Sequence, residues 1–373
     1  MNSFDNKKII VALSGGVDSA VAAALLKKKG YDVVGVYFRF FESTWKPSFQ
    51  VKKIAKKLGI PLKIIDARKE FKKRVIDYFL NAYKTEITPN PCVVCNKEMK
   101  FRLLFDLMGK YKADYVATGH YARLGREIPN PKSQIPNKSK LQITNYKLLQ
   151  ARDKTKDQSY FLHRLSQKDL AKTIFPLGEY KKSDVKKMAK KMKLPTLENE
   201  SQDICFVADN DIQRFLSKNI KLKPGNIADE AGKTLGKHKG LPLYTIGQRK
   251  GIEIGPPASR QEREALRASG TRPYYVAKKN LKKNELIVTN EPKKLLTKKF
   301  WVSEMNWLNP KIKLPLRAEV QIRYRAPKVS AIIRKAGNAR WEVRSGKFLR
   351  AVTPGQSAVF CRGKEILGGG IIT

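Results

Sequence analysis

KIIVALSGGVDS, residues 8–19, is the stretch that decides the fold. Its first half is a short apolar run rich in β-branched residues, which predicts a buried strand that stops at Ser14-Gly15-Gly16. A helix is expected to follow from about Asp18 to Lys29. Backbone N–H groups at such a junction, with the positive end of the helix dipole, can hold a phosphate group. The alternative is a glycine turn without a ligand. The lysine of a P-loop and the glycine spacing of a dinucleotide-binding turn are both missing.

The segments after this loop alternate between strand and helix patterns. Strands are predicted at residues 32–38, 62–67 and 113–120, and helices at residues 48–58 and 69–84. This alternation predicts an α/β fold in which a parallel sheet carries helices on both faces.

The rest of the chain has a different pattern. Residues 126–145 are rich in Pro, Asn, Ser and Lys, which predicts a solvated loop or linker. From about residue 210 onward, short strand patterns are separated by Gly and Pro, as is typical of small β-rich domains. We therefore expect domain boundaries at about residues 208 and 275.

Composition limits the class of protein. The chain has 373 residues, 41% of them hydrophobic, which is enough for two or three packed domains. Its formal net charge of +44 favours a polyanionic partner such as nucleic acid, although lysine-rich helix faces in a lysine-biased proteome would look the same. No apolar run approaches the roughly 18 residues of a membrane helix, and no signal-peptide pattern is present. A cytoplasmic protein without a membrane contact is expected.

The four cysteines are too few and too scattered for a disulfide scaffold in a chain of this length. Cys92 and Cys95 lie in TPNPCVVCNKEMKF, residues 88–101, where a proline-stiffened turn leads into a helical pattern. A thiol at a helix N-terminus near Lys97 should have a pKa below the ordinary value of about 8.5. A nucleophilic or redox thiol, half of a metal site, and a structural pair all remain open here, although a second CxxC or a Cys/His pair is missing. Cys205 and Cys361 look like single buried thiols.

Seven motifs taken in order resemble the tRNA-specific 2-thiouridylase family over nearly the whole chain. They are SGGVDS (14–19), NPCVVCNKEMKF (90–101), ATGHYAR (117–123), KDQSYFL (156–162), SQDICF (201–206), GLPLYTIGQRKGI (240–252) and AVTPGQSAVF with LGGGII (351–360 and 367–372). The resemblance implies an adenine-nucleotide-hydrolase-like α/β domain with a pyrophosphate loop for ATP at residues 1–208. It also implies a small central domain at residues 209–275 and a C-terminal β-barrel at residues 276–373.

The resemblance also implies roles for individual residues. The catalytic thiols would be Cys95 and Cys205. The implied ATP contacts are Ala12, Leu13, Ser14, Gly15, Gly16, Val17, Asp18, Ser19, Phe38 and Gly119. The implied tRNA contacts are Asn90, Pro91, Cys92, His120, Lys156, Asp157, Gln158, Arg323, Tyr324 and Gln356. From the sequence pattern alone, His120 would be a histidine at a strand end and residues 156–158 a solvated helix start.

The implied reaction is 2-thiolation of the wobble uridine of tRNA, with ATP and Mg²⁺ as cofactors. The 2-keto oxygen of uracil is a poor leaving group that becomes a good one when it is esterified to AMP. Cys205 would receive sulfur as a persulfide from a desulfurase or a sulfur carrier protein. The sulfur would attack the activated ring carbon, and Cys95 would resolve the persulfide by forming a disulfide with Cys205.

One residue departs from the family pattern, because relatives commonly have Asp where this chain has Cys92. A role for that carboxylate in proton transfer or base positioning is therefore in doubt. Cys92, Cys95 and Cys205 could together supply three thiolates to an iron–sulfur cluster. Such clusters usually have four cysteines, and Cys361 lies in another predicted domain. We therefore expect the persulfide route without a bound metal.

Two other functions compete with this interpretation. Another adenylating sulfurtransferase or ligase of the same fold would share the phosphate loop, although Arg323-Tyr324-Arg325 in the β-rich half favours RNA. A non-catalytic RNA-binding protein would account for the charge but not for SGGVDS together with two spaced thiols.

Overall fold

The computed structural model describes residues 6–42, 45–127, 145–197, 204–254 and 273–373. Five parallel strands form the N-terminal sheet: β1 (Lys8–Ala12), β2 (Asp32–Arg39), β3 (Leu62–Asp66), β4 (Tyr115–Ala117) and β7 (Thr173–Ile174). Their order is β3-β2-β1-β4-β7, so β1 is central. The predicted α/β fold with a parallel sheet is confirmed.

Helices cover this sheet and connect its strands. They are α1 (Val17–Lys28), α2 (Trp45–Leu58), α3 (Arg68–Phe71), α4 (Asp77–Lys84), α5 (Pro91–Cys95), α6 (Arg102–Lys110), α7 (Gln167–Ala171) and α8 (Lys182–Lys191). A π turn, Lys72–Ile76, joins α3 to α4, and a second one, Asn96–Phe101, joins α5 to α6. Helix α1 is rich in alanine and buried on two sides. Its Ala23 packs with Ile9 of β1, and its Ala20 packs with Val185 of α8.

The structure corrects two predictions of irregular or purely β structure. Strands β5 (Ala122–Glu127) and β6 (Asn145–Gln150) form an antiparallel hairpin, so both ends of the predicted loop at 126–145 are strands. Residues 128–144 of that loop lie outside the described residues. A helix, α9 (Ile212–Asn219), begins where only short strands were expected. Its Leu216 is buried against Phe79 and Tyr83 of α4, and this tertiary contact stabilises a helix of only two turns.

The middle of the chain forms a four-stranded sheet. It consists of β8 (Gly225–Ala228), β9 (Thr234–His238), β10 (Tyr275–Asn280) and β11 (Glu285–Thr289), in the order β10-β11-β8-β9. Its buried core is Ile227, Leu241, Tyr244, Val276, Leu286 and Val288. Strand β11, which follows residue 274, therefore pairs with β8, which precedes it, and β10 joins the sheet through β11.

The C-terminal strands close into an antiparallel barrel. They are β12 (Leu296–Trp307), β13 (Leu316–Gln321), β14 (Val329–Lys335), β15 (Trp341–Arg350), β16 (Ser357–Arg362) and β17 (Glu365–Ile372). The order β12-β15-β14-β13-β16-β17 is closed by pairing of β12 with β17. The predicted barrel is confirmed. Strand β6 also pairs with β17, so the hairpin from the N-terminal part extends the barrel sheet.

None of the helices in the described ranges is long and apolar enough to cross a lipid bilayer.

Candidate active site

The phosphate loop, residues 14–19, lies between the C-terminal end of β1 and the start of α1. Gly15 has a φ of 89°, a left-handed conformation that glycine adopts without a steric penalty. The Ser19 hydroxyl accepts a hydrogen bond from the Ser14 N–H at 3.0 Å and donates one to the Gly16 carbonyl at 3.1 Å. The first N–H groups of a helix have no acceptor within the helix. The loop therefore presents N–H donors at the edge of the sheet, as a phosphate site requires.

Two distant side chains hold Asp18, which lies in the first turn of α1. The Lys182 Nζ lies 2.7 Å from each carboxylate oxygen, and the Tyr121 hydroxyl donates to Oδ1 at 2.8 Å. Lys182 is the first residue of α8. Neither Lys182 nor Tyr121 was among the predicted site residues, although Tyr121 lies inside the ATGHYAR motif.

The other predicted ATP residues lie in the sheet under the loop or directly beside it. Leu13 and Phe38 are buried in the sheet core, with 2% and 7% of their surface exposed. A Cβ atom on Gly119 would lie 2.9 Å from the Ser19 nitrogen, so only glycine allows β4 to end this close to the loop. Ala12 is the last residue of β1 and is partly buried. Direct nucleotide contacts by these residues stay a prediction.

The expectation that the pKa of Cys95 lies below its ordinary value is wrong. Cys95 is the last residue of α5 and continues directly into a π turn, so it lies within a helical segment rather than at its N-terminus. Only 6% of the residue is exposed, and it packs against Phe71. Burial raises the pKa of the Cys95 thiol to about 12, and Lys100 only partly opposes this. The Lys97 side chain instead pairs with Asp169 at 3.0 Å.

Cys205, the second predicted catalytic thiol, is solvent-exposed. Desolvation by the protein atoms around the thiol nevertheless raises its pKa, and Lys100 opposes this change. The next residue, Phe206, anchors this segment, because its ring lies 5.8 Å from that of Phe71 and 5.3 Å from that of Phe79. Phe206 packs against the cluster that contains Cys95. This anchoring brings the two thiols close enough that charge on Cys205 raises the pKa of Cys95.

Lys100 is the cation that these thiols share, and it was not among the predicted site residues. Desolvation lowers its pKa, but Cys95, Cys205 and Cys92 raise it, and the pKa is higher overall. Lys100 gains this stabilisation only when the thiols are ionised, because a neutral thiol carries no charge. Lys100 lies five residues after Cys95 across the π turn, whose i to i+5 repeat brings these two residues together. The motif NPCVVCNKEMKF contains Lys100, but Lys97 is nearer to Cys95 in the sequence and was predicted to be the cation beside the thiol.

Cys92 is the third thiol that suggested a metal cluster. Cys92 is half-buried, and no cysteine is in a disulfide. Among the residues that the structure describes, no three His, Cys, Asp or Glu side chains converge as a group that could hold a metal ion.

His120 lies between the phosphate loop and the thiols. Its Nδ1 is 2.8 Å from the Thr118 hydroxyl, and its ring centroid lies 6.1 Å from Phe101 and 6.4 Å from Phe175. Burial, followed by the charge of Lys100, lowers the pKa of His120 to about 3. The imidazole is neutral at physiological pH, so any RNA contact that it makes is a hydrogen bond or a stacking contact.

The turn before α5 meets the barrel. The Gln356 amide donates hydrogen bonds to the carbonyls of Thr88 at 2.9 Å and Pro89 at 3.3 Å. Asn90 caps α5 by accepting a hydrogen bond from the Val93 N–H at 3.4 Å. The fold therefore brings Gln356 next to the predicted tRNA contacts at residues 90–92.

Tyr160, which was not predicted as a site residue, links Asn90 to the barrel. Its side chain hydrogen-bonds with Asn90, and its hydroxyl donates to the Ser357 carbonyl at 2.9 Å. Arg323 donates to the Ala351 carbonyl and, at 3.1 Å, to the Thr353 hydroxyl.

Tyr324 packs against Phe161 with ring centroids 4.5 Å apart. Tyr324 and Arg323 are only partly buried, so each keeps surface for a ligand. Their contacts with tRNA stay a prediction.

Lys156 ends a turn, and Gln158 is the N-cap of a short 3₁₀ helix, Ser159–Leu162, so the predicted helix start is half-buried rather than solvated. The Asp157 carboxylate accepts hydrogen bonds from the Ala151 N–H at 2.8 Å and the Ser159 hydroxyl at 2.9 Å. Gln158 accepts one from the Tyr121 N–H at 3.0 Å. Asp157 and Gln158 thus shape the wall beside Asp18, and Lys156 in the same turn is half-buried.

Three family models match consecutive parts of the chain. They are described as tRNA methyl transferase HUP domain (residues 7–209), tRNA methyl transferase PRC-barrel domain (residues 213–290) and aminomethyltransferase beta-barrel domain (residues 297–372).

Curated relatives match over the full length. A protein of Carboxydothermus hydrogenoformans is 38% identical over all of this chain and 99% of its own, and one of Roseiflexus sp. is 39% identical over 98% and 99%. Both are named tRNA-specific 2-thiouridylase MnmA. Among solved structures, a 4-thiouridine synthetase–RNA complex with bound ATP is similar with 20% identity and a TM-score of 0.31, over 51% of this chain and 41% of that one. That similarity is too remote to bear on function.

Proposed function

This chain belongs to the tRNA-specific 2-thiouridylase family, and from that premise we propose that it uses ATP to replace the 2-keto oxygen of a tRNA wobble uridine with sulfur. The observation that carries the proposal is the position of residues 119–121. Gly119 and Tyr121 contact the phosphate loop at Ser19 and Asp18. His120, between them, is close enough to Lys100 for its pKa to be affected by that charge. ATP and thiol chemistry can therefore act on one bound base.

The descriptions of the matching domain models mention methyl transfer, whereas the full-length relatives are named for thiolation. A buried thiol beside an exposed one, next to a phosphate loop, supports sulfur transfer. We propose ATP as the nucleotide, tRNA as the substrate and the cytoplasm as the compartment.

In the proposed first step, the uridine O2 attacks the α-phosphorus of ATP. The bond to the β-phosphate oxygen breaks, pyrophosphate leaves with the electron pair, and the N3 proton passes to solvent. The phosphate loop orients the triphosphate by its N–H groups and the α1 dipole. Both oxygens of the Asp18 carboxylate already contact the Lys182 ammonium, so the phosphate oxygens of ATP, rather than this carboxylate, would hold Mg²⁺. Mg²⁺, when bound, neutralises phosphate charge.

In the proposed second step, a persulfide on Cys205 supplies the sulfur. Its terminal sulfur bonds to the ring C2, and AMP leaves with the former O2. Cys95 then loses its proton and attacks the Cys205 sulfur, so that the bond to the transferred sulfur breaks and a Cys95–Cys205 disulfide forms. An external thiol must reduce this disulfide before the next turnover. The exposure of Cys205 suits loading by a desulfurase or a carrier protein, and the burial of Cys95 suits a resolving thiol.

An iron–sulfur version of the reaction is the second candidate, because Cys92 gives the chain a third thiol near the site. We favour the persulfide route, since these thiols do not converge as a metal-binding group in the described part of the chain.

The test is a set of single thiol variants. Cys205→Ser should accept no sulfur from the donor, whereas Cys95→Ser should load a persulfide but not release thiolated tRNA over many turnovers. Cys361→Ala, which changes a buried barrel thiol, is the matched control and should keep activity. Mass spectrometry of the protein and of tRNA nucleosides measures both stages.

Equal loading of the Cys95 and Cys205 variants would show that the roles are assigned wrongly. Stoichiometric iron and acid-labile sulfide in anaerobically purified protein, with loss of activity in Cys92→Ser and Cys92→Asp, would favour the cluster instead. An active, iron-free Cys92→Asp protein would support the persulfide route.

A further inference from the structure

The ion pair between Lys182 and Asp18 joins two segments 164 residues apart at the phosphate loop. The Lys182 ammonium contacts both carboxylate oxygens at 2.7 Å, and only 13% of the Lys182 side chain is exposed. A two-point contact this short fixes the carboxylate in position as well as balancing its charge. The neighbouring Lys181, in contrast, is exposed.

The backbone around Lys182 is also held in place. The Lys182 N–H donates to the Asp153 carboxylate at 2.9 Å, and the other oxygen of Asp153 accepts from the Thr155 hydroxyl at 2.7 Å. Behind it, Val185 and Ala189 of α8 pack in one cluster with the alanines of α1. The lysine thus reaches the loop from a rigid helix start.

The Lys182–Asp18 ion pair changes the electrostatics of the phosphate loop. A carboxylate in the first turn of α1 is favourable for the helix dipole but repels a triphosphate that approaches the same N–H groups. Near a protein surface, an unbalanced charge a few ångströms away changes the binding of a single charge by roughly tenfold or more. A cation on Asp18 removes that repulsion.

We infer that Lys182 is a positioning residue of the ATP site: it neutralises and orients Asp18 so that the phosphate loop accepts a triphosphate. The inference rests on the proposed use of ATP. The competing explanation is an ion pair that only ties α8 to α1. That explanation predicts a loss of stability without a selective loss of nucleotide affinity.

The test compares Lys182→Met with Lys182→Arg, the double variant Lys182→Met/Asp18→Asn, and Lys181→Met as the matched control on the same turn. The equilibrium Kd for ATP and the thermal midpoint are measured for each protein. Lys182→Met should weaken ATP binding by roughly tenfold or more, given the charge effect above. Lys182→Arg should retain most of the affinity, and Lys181→Met all of it.

The double variant decides between the two explanations. Removing the carboxylate charge as well should restore much of the ATP affinity lost in Lys182→Met, because no unbalanced anion remains. If Lys182→Met binds ATP like the wild type and only melts earlier, or if the double variant binds as weakly as the single one, the inference is wrong. Wild-type protein that binds ATP but leaves tRNA unmodified would instead contradict the proposed function and leave the role of Lys182 intact.

Discussion

Lys100 is the residue on which the chemistry of both thiols depends. Desolvation raises the pKa of the Cys95 and Cys205 thiols, and Lys100 is the cation that opposes this at each of them. A thiolate is the reactive form in sulfur transfer. The balance between burial and one ammonium group therefore sets how much nucleophile is present.

Lys100→Met should raise the pKa of the Cys205 thiol, because the stabilising cation is lost while the desolvation stays. Alkylation of Cys205 by iodoacetamide, followed against pH in a protein that lacks the other three thiols, should move to higher pH. A thiol pKa that is higher by about 1 lowers the thiolate fraction at neutral pH by about tenfold. Lys97→Met is the matched control, since Lys97 pairs with Asp169. An unchanged alkylation profile in Lys100→Met would refute the role of Lys100.

The sequence predicted the local structure of the phosphate loop but not the distant side chains that contact it. The glycines and serines of the phosphate loop were readable because strand, turn and helix follow each other directly in the sequence. Tyr121 and Lys182 were missed because they meet Asp18 from 103 and 164 residues away. Lys97 was predicted because it is nearer to Cys95 in the sequence, and the π turn that brings Lys100 to Cys95 is not visible in the sequence pattern.

The turn at residues 353–356 is the element that joins the barrel to the thiol-bearing helix. The Thr88 N–H donates a hydrogen bond to the Pro354 carbonyl at 3.0 Å, and the Thr88 carbonyl accepts one from the Gln356 side-chain amide at 2.9 Å. Gly355, with a φ of 91°, fits between them, and a Cβ there would lie 2.8 Å from the Thr88 carbonyl oxygen. No side chain larger than hydrogen fits this contact.

Gly355→Ala should therefore separate the turn from residues 87–89 and lower both stability and thiolation. Gly337→Ala is the matched control: its φ of 81° imposes the same backbone strain, of about 1–2 kcal/mol, but a Cβ there meets nothing within 4 Å. Thermal midpoints and rates of tRNA thiolation are compared for the two variants. Equal effects would mean that the strain alone matters and that docking of the turn on Thr88 does not.

Helix α9 shows why an element can escape prediction. The sequence after it is rich in Lys, Pro and Gly, which suggested strands and turns, and the helix has only eight residues. A capping signal was present, because the Asp211 side chain accepts a hydrogen bond from the Arg214 N–H at 2.9 Å. Burial of Leu216 against α4 supplies the rest, and no local pattern reveals that contact.

At the scale of the whole molecule, Lys279 of the central sheet lies against the N-terminal domain. It is 7% exposed, and its Nζ is 3.3 Å from the carbonyl oxygen of Glu86. Burial lowers the pKa of Lys279 to about 8 from 10.5, although the Glu86 carboxylate opposes this change. The folded state thus carries a penalty below pH 8, because it binds a proton there less readily than the unfolded chain does.

Stability should rise between about pH 8 and 10.5 through this group, since the folded protein releases the proton first. Lys279→Met removes both the penalty, at most about 3 kcal/mol, and this pH dependence. Lys278→Met, at an exposed neighbouring position, is the control. Urea unfolding at pH 7 and 9.5 measures the difference between the two variants. A Lys279→Met protein less stable than the control at pH 7 would contradict the expected sign.

The net charge of +44 predicts that the affinity of the protein for tRNA falls steeply as the salt concentration rises. If 6 to 10 phosphates are contacted, affinity should fall roughly 10³- to 10⁵-fold between about 50 and 200 mM salt, because condensed counterions are released on binding.

The position of a basic residue decides whether it contributes to this salt dependence, because only a residue at the tRNA interface contacts phosphate. Arg325 lies with its guanidinium 5.0 Å from the Tyr324 ring centroid, beside the predicted tRNA contacts, whereas Lys28 lies at the exposed end of α1. Arg325→Met should lower the slope of log affinity against log salt by about 1, and Lys28→Met should leave it unchanged although both remove one charge. Equal slopes for the two variants would mean that Arg325 contacts no phosphate, and a flat profile for the wild type would mean that the charge reflects composition alone.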